Sequence, residues 1–233
     1  MSPSERQERL NQLMEGWREN HIAKGYRRFI LDGAVCPEVW WSQKTPRVCF
    51  FLKEAYTEEA SGYDLTAGLH ENGPWKMWKK AAVWTQAIHS AFSQPAAYNP
   101  NRIREREGEL IDSIAIVNVK KSEGSNTSSY NNLEKYALED KGKLKQQLEL
   151  LQPQVILCGN TIGLLKTVLG GELNNENTWA DKIAFWKDAL VIDYYHPACQ
   201  YPNAVNYYAL SAICRTAIEN RGFSLSTGKE SLR

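Results

Sequence analysis

Three short runs carry the side chains on which chemistry could be built. They are Lys53-Glu54-Ala55-Tyr56, then Asn118-Val119-Lys120-Lys121 with the small-residue loop Gly124-Ser125-Asn126 behind it, and Tyr195-His196-Pro197-Ala198. Together they supply a carboxylate, a carboxamide and an imidazole. A carboxylate and an imidazole can hold or move protons, and an amide donates and accepts at neighbouring atoms. Each run follows an apolar stretch that reads as a buried strand. In a parallel α/β sheet, ligands settle beyond the C-terminal ends of the strands, so the three runs are expected at one rim. Singly, each has a plainer reading. A Glu after a strand often caps a helix, an Asn at a strand end satisfies local backbone, and a His-Pro pair arises by chance. The order carries the information: an acid after the first strand, an amide after the second, His-Pro after the fourth.

The elements that must position these runs follow from periodicity. Residues 47–52, 114–118 and 155–158 are short, apolar and partly β-branched or aromatic, as buried strands are. Residues 182–186 and 189–194 read as a strand pair turned by Lys187-Asp188. Helices are expected over 4–24 with Ser4 as its cap, over 75–92 behind Pro74, over 130–152, over 160–169 with Asn160 as its cap, and over 203–220. Residues 53–73 read as a long functional loop. The fold class expected is α/β: a single-domain three-layer sandwich with a central, mostly parallel four-stranded sheet near Val48, Ile116, Ile156 and Ile192. The domain spans 1–223 with the helical segment 4–30 packed on it, and 224–233 reads as a frayed tail.

Composition narrows the partners. Lys and Arg number 28 against 27 Asp and Glu, a net charge of +1, so a nucleic-acid site must rely on a local patch. Lys76, Lys79 and Lys80, then Arg102, Arg104 and Arg106, then Lys120 and Lys121 are the patches on offer. Five widely spaced cysteines without a C-x-x-C read as reduced, structural thiols. Of the four histidines only His196 has motif company. No metal and no cofactor are expected. With no apolar run of membrane-spanning length and a polar N-terminus, the chain is expected in the cytoplasm and away from membranes, and it is taken to act as a monomer.

The order of motifs resembles the uracil-DNA glycosylase superfamily, over roughly residues 47–219. Glu54-Ala55 matches the core of that family's Gly-Glu-Ala-Pro-Gly motif, Asn118 its base-reading Asn at the end of the second strand, and His196-Pro197-Ala198 its His-Pro-Ser. The stretch Pro153–Gly159 and the helix after it look like the family's third strand unit. Lys53 stands for the motif's Gly, Tyr56 for its Pro and Ala198 for its Ser, and the cysteine set of the cluster-bearing branch is missing.

The resemblance implies a fold, a partner and roles. DNA is the partner, and a target nucleotide is extruded from the stack before its N-glycosidic bond is cut. Glu54 would orient water and stabilise an oxocarbenium-like sugar, and His196, neutral, would donate to the departing base. Asn118 would read the base edge, with Tyr56, Trp75 and Tyr195 as stacking surface. Lys53, Lys120, Lys121, Ser125 and Asn126 would hold the DNA, and Gln200 and Tyr201 lie where the family places its minor-groove wedge. The expected function is a monofunctional DNA glycosylase acting on a uracil-like or modified base. The long first loop leaves open a phage-defence enzyme specific for glucosylated hydroxymethylcytosine. A non-catalytic nucleic-acid or nucleotide binding module is the alternative of another class, and a small-molecule nucleoside hydrolase a further one.

Overall fold

The computed structural model of the chain describes residues 1–26, 28–55, 62–122, 124, 129–174 and 182–225. Helix α1 (Pro3–Ala23) and the short α2 (Pro37–Ser42) precede strand β1 (Val48–Glu54). Helices α3 (Leu65–Asn72), α4 (Met77–Phe92), α5 (Pro100–Glu105) and α6 (Glu107–Asp112) lead to β2 (Ile114–Lys120). Then come α7 (Tyr130–Glu139), α8 (Lys141–Leu151), β3 (Val155–Gly159) and α9 (Ile162–Leu169). Strands β4 (Leu173–Asn174), β5 (Ile183–Trp186) and β6 (Ala189–Tyr194) and helix α10 (Asn203–Arg221) complete the order.

One sheet organises the molecule, in the order β2-β1-β3-β6-β5-β4. The first four strands are mutually parallel, and β5 and β4 are antiparallel additions. The four runs expected from the sequence therefore form as parallel strands, but the sheet is a mixed one of six. The difference arises at the hairpin. Lys187 takes a left-handed conformation (φ 52°), which closes the tight turn with Asp188, and β4 then pairs with the outer side of β5.

Parallel strands are apolar on successive residues because both faces are covered. Alternation sends Phe50, Leu52, Ile116, Leu157 and Ile192 into one core with α4 and α10. It sends Cys49, Phe51, Val117, Ile156 and Val191 into the other, against α1, α7, α8 and α9. Helix α4 is buried almost all round, its Ala81, Ala82 and Ala87 letting it lie close between sheet and α10.

Some local expectations change. Ser2, not Ser4, caps α1: its Oγ accepts from the Glu5 backbone N–H and the Glu5 carboxylate accepts from its own, with Pro3 at the first turn. The helix expected over 130–152 is two helices, broken at Asp140. Lys76, at φ 43°, delays the start of α4 to Met77. Thr161 rather than Asn160 precedes α9, because Asn160 itself is left-handed (φ 58°). The stretch 53–73 is not wholly loop, since Asp64 caps α3 inside it by accepting from Thr66 and Ala67 N–H.

The outer edge of β2 is closed by segment 30–35, which is not a strand. Gly33 C=O accepts from Ile116 N–H at 2.7 Å, Val35 N–H donates to Ile114 C=O at 3.0 Å, and Ile30 N–H donates to Lys121 C=O at 2.7 Å. Where the segment has no carbonyl to offer, the Asp32 carboxylate accepts the Asn118 N–H at 2.8 Å. Among the described residues no helix is long and apolar enough to cross a membrane.

Candidate active site

Four parallel strands end at one rim, and their register fixes the level at which each side chain stands there. Asn118 is level with Leu52, Phe51 with Cys158, and Gly159 with Tyr194. Glu54 and Lys120 face each other one pleat further out, and His196 lies two residues past Tyr194. Gly159 makes the floor. A Cβ there would stand 2.6 Å from Leu52 Cδ2, a clash, and 3.5 Å from His196 Cδ2, an ordinary contact, so glycine is what lets Leu52 lie against the strand end, with the imidazole beside it.

His196 is half-buried, and its Nδ1 accepts the Ala198 N–H at 3.2 Å. With Nδ1 occupied as an acceptor, the neutral ring carries its hydrogen on Nε2. Burial, and then the nearby Lys53 ammonium, push the imidazole down to about 4 from its ordinary 6.5. The ring is therefore a neutral donor near neutral pH.

Glu54 is almost fully buried and ion-paired to Lys120 at 3.0 Å. The chain after β2 closes over this pair: Gly124 N–H donates to Ala55 C=O at 2.7 Å, and a Cβ on Gly124 would stand 2.7 Å from Glu54 Cγ. Lys120 was expected to hold a DNA phosphate. It instead belongs to the wall of the site, its ammonium 5.5 Å from the Tyr136 ring centroid.

Asn118, 2% exposed, is anchored by Asp32, whose Oδ2 accepts both its backbone N–H and its Nδ2–H at 2.8 and 3.1 Å. A carboxylate only accepts, so the amide is oriented with nitrogen toward Asp32 and Oδ1 turned from it. The other Asp32 oxygen accepts from Lys121 Nζ at 2.6 Å and from Gln147 Nε2 at 2.8 Å. Lys121 also reaches Gln147 Oε1 and stands 4.9 Å from the Trp17 ring centroid. This corrects the reading of Lys121 as a phosphate contact, because its side chain is wholly out of solvent. Burial lowers its ammonium from the usual lysine range, opposed by Asp32.

The loop after His196 is clamped from two helices. Lys80 of α4 donates to the Cys199 and Tyr201 carbonyls, and Asn206 of α10 donates to the Tyr201 carbonyl while accepting from Tyr194 Oη. Lys80 is thus a loop anchor rather than a member of an open basic patch. Tyr195 and Tyr201, 45% and 49% exposed, lie with ring centroids 4.9 Å apart. They line a cavity of 440 Å³ between the end of β6 and α10. Gln200 is exposed and donates to the Ala198 carbonyl at 3.4 Å. Trp75, 37% exposed, leans on Gly68 of α3. Tyr56, Ser125 and Asn126 lie outside the described residues. Asp32 and Asn206 went unmarked in the sequence reading, and Gly159 stood there only as the end of a strand. An Asp before a Gly reads as a turn, and only the tertiary fold shows that it serves a strand eighty-odd residues away.

Among the described residues no three His, Cys, Asp or Glu side chains gather as a metal ion would need. No protein-family model matches the sequence, and no curated protein matches it.

Proposed function

We propose that the chain is a DNA glycosylase that hydrolyses the N-glycosidic bond of a flipped, uracil-like base, as its resemblance to the uracil-DNA glycosylase superfamily implies. The observation that carries the reading is His196: a neutral imidazole, hydrogen on Nε2, resting on Gly159 at the rim that also bears Glu54. Bond cleavage leaves negative charge on the base and positive charge on the sugar. A preorganised N–H donor aimed at the first and a fixed carboxylate near the second lower the barrier without reorganising during the reaction. Glu54, held by Lys120, takes the second role and orients the attacking water.

Asn118 is the side chain that the resemblance assigns to reading the base edge. Asp32 takes one amide hydrogen, which leaves Oδ1 as an acceptor and the second Nδ2–H as a donor for a base edge. Uracil matches that pair with its N3–H and a neighbouring carbonyl, and the exposed Tyr195 and Tyr201 offer stacking surface to the strand.

The test is a panel of oligonucleotides carrying uracil, hypoxanthine, oxidised bases and phage-type hypermodified cytosines, treated with alkali after incubation. A glycosylase leaves an alkali-labile site on at least one of them, and Glu54→Ala and His196→Ala abolish it. Tight binding with no labile site on any strand would instead make the chain a binding module.

A further inference from the structure

The opposite rim of the sheet holds a second concavity. A cavity of 420 Å³ is lined there by Arg6 of α1, Trp41 of α2, Arg47 before β1, Leu148 of α8 and Pro153 before β3, with Lys187 of the hairpin turn at its margin. Its size falls within the range of small-molecule sites. Because it lies at the N-terminal ends of the strands, it is separate from the rim bearing Glu54 and His196.

Its charge is unbalanced. Arg47 is fixed by its backbone-facing Nε, which donates to the Gln152 carbonyl at 2.9 Å, so its two terminal nitrogens are turned elsewhere. Among the described residues neither those nitrogens nor the Arg6 guanidinium has a carboxylate or hydrogen-bond partner. Burial, then the neighbouring Arg6 charge, lower the Arg47 guanidinium from its ordinary value, and no carboxylate offsets them. Two acids line the same cavity, but Glu149 closes on Lys187 at 2.7 Å, and Asp188 lies exposed on the hairpin turn. Two like charges brought together in a half-buried wall raise the energy of the empty site, and an anion relieves it.

We propose that this cavity binds a phosphate monoester, its dianionic phosphoryl group forked between the guanidiniums of Arg6 and Arg47. A guanidinium presents parallel N–H groups to two oxygens at once, which suits phosphate and carboxylate alike. Two unpaired cations match a dianion better than a monocarboxylate. The cavity is larger than a phosphoryl group, and Trp41, Leu148 and Pro153 give the ester's organic part an apolar wall.

The experiment titrates the full chain by calorimetry at constant ionic strength with inorganic phosphate, phenyl phosphate and acetate. Two further arms use one short oligonucleotide with and without a 5′-phosphate. Phosphate should bind, phenyl phosphate more tightly, and acetate not measurably. Arg6→Gln should weaken phosphate and phenyl phosphate by about tenfold or more, and Arg47→Lys, which keeps the charge but loses the fork, by a similar factor. Among the described residues Arg6 makes no side-chain bond, so its variant carries the test even if Arg47→Lys is unstable. A 5′-phosphate effect that vanishes in Arg6→Gln identifies a nucleic-acid end as the source, and an effect confined to phenyl phosphate identifies a small ester. Equal binding of phosphate and acetate, or unchanged phosphate binding in Arg6→Gln, overturns the proposal. Base release is a separate readout at the other rim, so either reading can fail alone.

Discussion

Lys120 stands directly across from Glu54 in the register of β2 on β1, and its ammonium closes on the carboxylate at 3.0 Å with both side chains nearly out of solvent. The lysine thus fixes the position and charge of the group proposed to face the cationic sugar. Replacing Lys120 by Met should reduce base release by roughly tenfold or more, since an acid without its partner is displaced or neutralised. DNA affinity and its salt dependence should change little, because the ammonium is committed within the protein. A drop in the salt slope by about one, measured by fluorescence anisotropy, would return Lys120 to the role of a phosphate contact.

Gly124 provides a second handle on the same carboxylate. A methyl group there cannot coexist with Glu54 Cγ at 2.7 Å, and the Ala55 carbonyl closes the other side at 3.1 Å. Gly124→Ala should therefore move the Glu54 side chain off Lys120. Base release should fall at least as far as in Lys120→Met, while the melting temperature shifts by only a few degrees, as expected for about 1 kcal/mol of local strain. Unchanged single-turnover rates would show that the carboxylate tolerates displacement.

Two imidazoles make the fold acid-sensitive. His89, buried on α4 with Nε2 on the Pro46 carbonyl, is pushed down to about 4 by burial, with Arg106 adding to it. His196 is lowered to about 4 as well, by burial and then Lys53. Between about pH 4 and the ordinary value of 6.5 the unfolded chain binds protons that the folded chain refuses, so stability rises with pH across that window and is lost as pH falls through it. His89 alone corresponds to roughly 3 kcal/mol over the full window. Urea unfolding at about pH 7 and about pH 5 should show the loss, and His89→Gln should flatten much of it.

Asp32 and Lys121 predict a stability pattern rather than a catalytic one. Four donors converge on the Asp32 carboxylate: two from Asn118, one from Lys121 and one from Gln147. Lys121→Ala strands a buried anion and should cost about 3–5 kcal/mol in denaturant unfolding. Replacing both partners, as Asp32→Leu with Lys121→Met, should recover part of that loss. Recovery stays incomplete because the Asn118 N–H loses its acceptor. A double variant less stable than Lys121→Ala alone would mean that the carboxylate matters more to β2 than to the lysine.

Apolar runs identified the four parallel strands because burial on both faces writes itself into consecutive residues such as Val48-Cys49-Phe50-Phe51-Leu52. Two-residue β4 has no such signature and exists only because β5 offers it an edge. The acid, amide and imidazole drew notice because each lies at or near the C-terminal end of an apolar run. What they do there was only partly readable. Lys120 and Lys121 are neighbours with the same side chain, yet the pleat turns one toward Glu54 and the other into the second core. No local pattern separates two adjacent lysines. Only the facing layers do, through Asp32 and Gln147 from distant segments.

The segment that closes the outer edge of β2 has a consequence for how copies of this chain meet. An open strand edge is a template on which another chain can add a strand. Here Gly33, Val35 and Ile30 use up the ladder groups, and a carboxylate rather than a carbonyl takes the Asn118 N–H. An incoming strand would find no repeating row of free donors and acceptors, and would meet a buried charge that it cannot replace. The β2 edge of the sheet is thereby closed to a strand from a second molecule.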